Sequence, residues 1–129
     1  DLPEALRRRC GDGVVAVGKV DDLATMFDRV RLTVAPLGYG AGINGKVIES
    51  FAAGVPCVFT PLAAEGLDLP DALSGCIAAG AEQLAATVYR LHNDAKVNAG
   101  ARRAGLAYIE TEMSEAVLDA QMRRVLQAY

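Results

Sequence analysis

The stretch "GYGAGINGKVIES", residues 38–50, concentrates the residue types that could do chemistry. Gly40, Gly42 and Gly45 let backbone N–H groups approach an anion closely, because no Cβ stands in the way. A helix that begins near Asn44 turns unpaired N–H donors and a positive dipole end towards the same anion. Lys46 lies in its first turn and adds a full charge. Glu49, three residues on, shares a helix face with Lys46, and a carboxylate there suits a pair of sugar hydroxyls better than a phosphate. The plainer alternative is a glycine-rich strand-to-helix turn with Lys46 and Glu49 as an ordinary surface pair.

Two nucleotide motifs nearly fit. Gly40-Ala41-Gly42-Ile43-Asn44-Gly45 satisfies G-x-G-x-x-G, and Gly40 to Val47 reads G-x-x-x-x-G-K-V. A phosphate-binding P-loop needs a hydroxyl after its lysine to hold Mg²⁺, and Val47 has none. A dinucleotide site needs its first glycine directly after the strand, and an acid at the end of the next strand for the ribose. Here Pro36 to Tyr39 intervene, the next strand ends in Thr60-Pro61, and the nearest acid, Glu65, stands in a loop. Both motifs fail at a position their chemistry needs.

The loop requires a strand before it and a helix after it, and the surrounding pattern supplies them. Val14–Val17 ("VVAV"), Leu32–Ala35, Pro56–Thr60 ("PCVFT") and Cys76–Ala79 ("CIAA") read as short buried strands. Between them lie helices: "DDLATMFDR", capped by Asp21 or Asp22, and "KVIESFAAG", with Val47, Ile48, Phe51 and Ala52 inward and Gly54 closing it. From residue 81 onward come three helical segments and no strand, the last opened by Ser114 and Glu115. "DLPEALRRR" reads as the start of a further helix with an Asp cap. Alternating strands and helices predict an α/β fold with a doubly wound parallel sheet, closed by C-terminal helices. In such sheets ligands sit outside the carboxyl ends of the strands, where residues 36–50 fall.

The 129 residues make one domain, 1–129, large enough to bury a core. A net charge of −3 argues against a general nucleic-acid binder, and Arg7-Arg8-Arg9 and Arg102-Arg103 read as solvated helix faces. Three cysteines, far apart, and one histidine give no zinc site and no disulfide framework; Cys57 and Cys76 read as small core hydrophobes. That cysteine usage favours a reducing, cytoplasmic setting. No apolar run is long enough to span a bilayer. Asp21-Asp22 serves better as a helix cap than as a metal site, and His92 reads as a dipole-compatible residue near a helix end. No initiator Met is present, and the chain opens in mid-pattern, as expected of a piece of a longer protein.

The ordered run "VGKVDDLATMFDRVRLTVAPL", "GYGAGINGKVIESFAAGVPCVFT" and "AAEGL" resembles the C-terminal, donor-binding domain of GT-B fold glycosyltransferases of the group 1 type (family 4), most closely over residues 18–67. The resemblance implies a Rossmann-like half of a two-domain enzyme that moves a sugar, of hexosyl type and with retention, from a nucleotide diphosphate sugar to an acceptor hydroxyl. It places the phosphates and donor sugar at Gly40, Ala41, Gly42, Ile43 and Asn44, the family's lysine at Lys46 and the ribose-binding acid at Glu49. Glu65, in "AAEGL", is a further candidate. Many members carry another Glu where Ala41 stands, so the two-carboxylate arrangement is absent. The resemblance implies no metal, no separate cofactor and no catalytic side chain that can be named from these residues. An acceptor glycan, lipid or small molecule would come through an N-terminal domain, with the whole enzyme cytoplasmic or peripheral to the inner membrane face, and this piece alone not competent. A different class stays open beside it: an α/β module that holds a phosphate ligand or a partner without chemistry.

Overall fold

The computed structural model describes residues 3–40 and 43–128. Its centre is a parallel pair of strands, β1 (Thr33–Ala35) and β2 (Cys57–Phe59), in the register Thr33–Cys57, Val34–Val58 and Ala35–Phe59. A single parallel bridge from Phe59 to Ile77 extends the pair on the other side of β2. Before β1 come two short helices, α1 (Glu4–Arg7) and α2 (Leu23–Phe27). The Asp22 side chain caps α2 by accepting from the Ala24 N–H, as its position in the sequence predicts. Between the strands runs α3 (Gly45–Ala52), and after them come α4 (Gly80–Asn93), α5 (Ala95–Tyr108), a π-helical turn (Ile109–Met113) and α6 (Glu115–Gln127). The chain is thus mixed α/β around a small parallel sheet, with helices throughout its last third.

Two of the four expected strands do not form as such. Val14–Val17 is not a strand: Val14 only bridges back to Gly11, and Val15 and Val17 are exposed. An apolar run becomes a strand only when a neighbour takes its ladder and a layer covers its face, and among the described residues neither is supplied here. The segment Cys76–Ala79 contributes only the bridge at Ile77, because a 3₁₀ helix over Asp71–Cys76 reaches into it and buries Leu73 and Cys76. The expected cap at Asp1 lies outside the described residues.

Helix α3 is the element that matters most for the loop. Its inner face is Val47, Ser50 and Phe51, at helical spacing; Ile48 is half-buried, and Ala52, expected inward, is exposed. Gly54 ends it at φ +72°, donating to the Phe51 carbonyl while Val55 N–H reaches the Ser50 carbonyl. That pair of bonds is a Schellman stop, which satisfies two carbonyls the helix would otherwise orphan. The Ser50 hydroxyl is fully buried: it donates to the Val55 carbonyl at 2.9 Å, so the Thr33 hydroxyl, 2.6 Å away, donates to it. One side chain therefore ties β1, α3 and the turn into β2 together.

Helix α5 covers α3. Gly105 faces Phe51 so closely that a Cβ there would stand 2.9 Å from a ring carbon. Phe51 is also held edge-on by Phe59 and Tyr108, with ring centroids 6.0 and 6.3 Å away. Cys57 and Cys76 are buried free thiols, as the sequence predicts, while Cys10 is free and exposed. Burial pushes the Cys57 thiol up to about 11, against a smaller opposing effect of the Thr33 hydroxyl, and raises Cys76 as well. Both are inert at neutral pH.

Candidate functional site

The chain leaves the carboxyl end of β1 at Ala35, passes through the glycine loop and enters α3 at Gly45. Thr60, at the corresponding end of β2, fixes the exit: its hydroxyl donates to the Leu37 carbonyl at 2.9 Å and accepts from the Ala63 N–H at 3.3 Å. The position where a dinucleotide fold would keep a ribose-binding acid is thus occupied by a threonine engaged in holding the two strand ends together. A dinucleotide ligand would find no ribose-binding acid here.

Asn44 is the N-cap of α3, with extended backbone and its side-chain oxygen accepting from Lys46 N–H at 3.0 Å. Its carbonyl takes the N–H groups of Val47 and Ile48. Among the described residues the Gly45 N–H has no acceptor, so it is the donor of that first turn still available to an anion. An anion seeking the Lys46 N–H as well would have to displace the Asn44 side chain.

An open cleft of about 430 Å³ lies at this helix start, and Gly40, Ile43, Asn44, Gly45, Lys46 and Glu49 line it. The structure thus brings together six of the residues named from the sequence: Gly40, Ile43, Asn44, Gly45, Lys46 and Glu49. Ala41 and Gly42 lie outside the described residues. Lys46 and Glu49 are both exposed, and among the described residues neither side chain has an ion-pair or hydrogen-bond partner. They do not form the surface pair of the plainer alternative. A cation and a carboxylate three residues apart on one helix face, neither paired among the described residues, are groups of the kinds that can take an anion and a hydroxyl.

Glu65 does not line the cleft. Gly66, at φ +79°, does come close: a Cβ there would meet Ile43 Cγ1 at 3.2 Å, so the turn at 65–66 backs onto the glycine loop. Leu37 and Leu62 also line the cleft and were not singled out. Leu62 could have been found, since it follows the carboxyl end of β2, where such sheets bind ligands. Lys46 and Glu49 stand on a ridge, for they also border a second hollow of about 330 Å³, floored by Leu23, Phe27, Ala35 and Cys57.

His92 is placed away from all this. Its carbonyl accepts from the Arg31 guanidinium, and Arg31 precedes β1, at the end of the strand opposite the glycine loop. Among the described residues no three of His, Cys, Asp and Glu gather into a group that could hold a metal. No helix of the described residues is long and apolar enough to cross a membrane. Residues 1–94 match the model of the family described as glycosyl transferases group 1. No curated protein and no solved structure matches the chain.

Proposed function

Because the chain belongs to the group 1 glycosyl transferases, we propose that it supplies the donor side of sugar transfer, with the cleft at the start of α3 holding a nucleotide diphosphate sugar. The observation that carries this reading is the cleft itself. At one helix N-terminus it joins a glycine loop, an available amide, and Lys46 and Glu49 side chains that have no partner among the described residues. Gly40, Ala41, Gly42, Ile43 and Asn44 face the diphosphate and donor sugar, Lys46 neutralises phosphate charge, and Glu49 accepts from the ribose hydroxyls. Glu65, beside Gly66 in the turn that backs onto Ile43, acts by ordering the loop.

In the transfer, the bond between the anomeric carbon and the diphosphate oxygen breaks. A new bond forms to the acceptor oxygen, and the acceptor's proton passes to the departing diphosphate oxygen. Negative charge grows on the leaving diphosphate. The helix dipole, the loop amides and Lys46 stabilise it electrostatically, and they do so best where water is excluded. The parallel pair with its crossover α3 is compatible with the sheet of a Rossmann-like, GT-B type half. On this reading it is doubly wound, hexosyl transfer proceeds with retention, and the acceptor arrives on a second domain of a cytoplasmic or membrane-peripheral enzyme. The domain alone then binds donor without turning over.

The test is a titration of the chain with UDP, GDP, ATP and NAD in turn, followed by amide NMR shifts. Shifts clustered on residues 40–49 with UDP or GDP, weakened in Lys46→Ala and Glu49→Ala, are the expected result. A response to NAD alone would overturn it.

A further inference from the structure

A separate hollow of about 430 Å³ opens between the segment Asp68–Ala72 and the end of α5 with its π-helical turn. Its walls include Leu69, Pro70 and Ala104, and its polar side chains are Asp68, Tyr108, Thr111 and Glu112, of which the Thr111 hydroxyl is already given to the Ala107 carbonyl. Tyr108 is the unusual member. The residue is only 3% exposed, its ring wedged edge-on against Phe51. A phenol so deeply placed normally finds a hydrogen-bond partner. Among the described residues this one has none, and no side-chain oxygen or nitrogen sealed from solvent lacks a partner. The hydroxyl therefore is not sealed from solvent, and the open hollow is one that Tyr108 lines.

The two carboxylates beside it are equally without a counter-charge. Neither Asp68 nor Glu112 forms an ion pair among the described residues. Burial, then Glu112, then Asp68, push the Tyr108 phenol above its ordinary value, which keeps it protonated and places both acids within electrostatic reach of it. Glu112 follows Tyr108 by four residues, and the π-helical turn that carries it is held by Thr111, whose hydroxyl donates to the Ala107 carbonyl at 2.9 Å.

We propose that this hollow binds an organic cation that carries N–H donors, a primary ammonium or a guanidinium, between Asp68, Glu112 and the Tyr108 hydroxyl. Three oxygen groups with no cation among them ask for a donor with several N–H bonds, which both ions supply. A quaternary ammonium does not fit, because it needs an open aromatic face, and the Tyr108 ring is turned into the core against Phe51. Leu69, Pro70 and Ala104 offer the apolar wall that a methylene stem would lie along. The inference stands independently of the donor cleft, with which the hollow shares no residue.

The same cation can come from a free di- or polyamine or from a lysine or arginine side chain of a polypeptide. The chain is therefore titrated with 1,4-diaminobutane, with N-acetylarginine methylamide and with tetramethylammonium as a control, following the amide shifts of Asp68, Tyr108, Thr111 and Glu112. Saturating shifts are expected with one or both N–H cations, and binding about tenfold weaker or more with tetramethylammonium. Response to diaminobutane alone identifies an ammonium, and response to the arginine derivative alone a guanidinium; Nα-acetyllysine methylamide, run beside diaminobutane, separates a lysine side chain, which it matches, from a free amine, which it does not. Asp68→Asn and Glu112→Gln, both at exposed positions, are each expected to weaken binding by about tenfold. Tyr108→Phe keeps the ring and removes only the hydroxyl, and a loss of about threefold is expected. Shifts that do not saturate, equal binding of tetramethylammonium, or unchanged affinity in the Asp68→Asn/Glu112→Gln double variant would overturn the proposal.

Discussion

Substituting alanine for Gly105 and, separately, for Gly100 isolates the contact that seats α3 on α5. Both glycines lie in α5, so each substitution gains helix propensity of about 1 kcal/mol. Only their surroundings differ. A Cβ on Gly100 meets nothing within 4 Å, whereas one on Gly105 would lie 2.9, 3.2 and 3.4 Å from Phe51 Cδ1, Cγ and Cβ. Carbon atoms rest at about 3.5–4.0 Å, so the ring or the helix must move by roughly half an ångström or more. The ring has little room to move: it is 1% exposed and bounded by Phe59 and Tyr108. Overpacking of this kind costs about 1–3 kcal/mol. Gly100→Ala is therefore expected to stabilise the chain by about 1 kcal/mol, and Gly105→Ala to be about 1–3 kcal/mol less stable than Gly100→Ala. Urea unfolding reads the difference directly, as a midpoint separation on the order of 1 M. A Gly105→Ala chain as stable as Gly100→Ala would refute the reasoning, since it would mean that Phe51 yields at no cost. The consequence for function is direct, because Phe51 shares its helix with Lys46 and Glu49.

Ser50→Ala removes the donor to the Val55 carbonyl and takes from the Thr33 hydroxyl its 2.6 Å bond, leaving it the Pro56 carbonyl at 3.5 Å; a loss of about 1–2 kcal/mol is expected in the same unfolding assay. At the cleft, Glu49→Ala is expected to weaken nucleotide binding by about tenfold at any salt concentration, while the loss in Lys46→Ala shrinks as salt rises; isothermal titration at two ionic strengths separates them. Alkaline pH should destabilise the fold through Cys57. The unfolded thiol ionises from its ordinary 9.0, but burial holds the folded one to about 11, so this stability is complete below pH 9 and is lost as pH climbs through 11. The two-unit gap corresponds to roughly 3 kcal/mol, and Cys57→Ala is expected to show a correspondingly shallower fall in unfolding midpoint over that range.

The glycine loop and α3 were legible because their signals are local. A capping Asn, a glycine stop and helical spacing sit within a dozen residues of one another and need no distant partner. Ser50 shows how a local signal is nevertheless misread: Val47, Ser50, Phe51 and Gly54 follow the spacing of an inward face, but a search for apolar residues passes over a serine. Strand formation is a different matter. "VVAV" and "CIAA" carry the right residues, yet whether a strand forms depends on a neighbour's ladder elsewhere in the chain, and only "LTVA" and "PCVFT" find each other. The cleft residues were readable from the loop, whereas Leu62 enters through packing. The hollow at Tyr108 left no sequence signal, because Asp68 and Glu112 are brought together only by the fold.

The three free thiols have a practical consequence in time rather than in space. Cys10 is exposed and Cys57 and Cys76 are buried, so an alkylating reagent meets two populations in one molecule. The first is open to the reagent in every folded molecule. The other two react only when the strand pair and the 3₁₀ segment beside it come apart, an event whose frequency is set by the free energy of that opening. Mass spectra taken during one labelling run then resolve singly and triply modified chains. The fast thiol counts the molecules present, and the slow pair counts how often each one has opened.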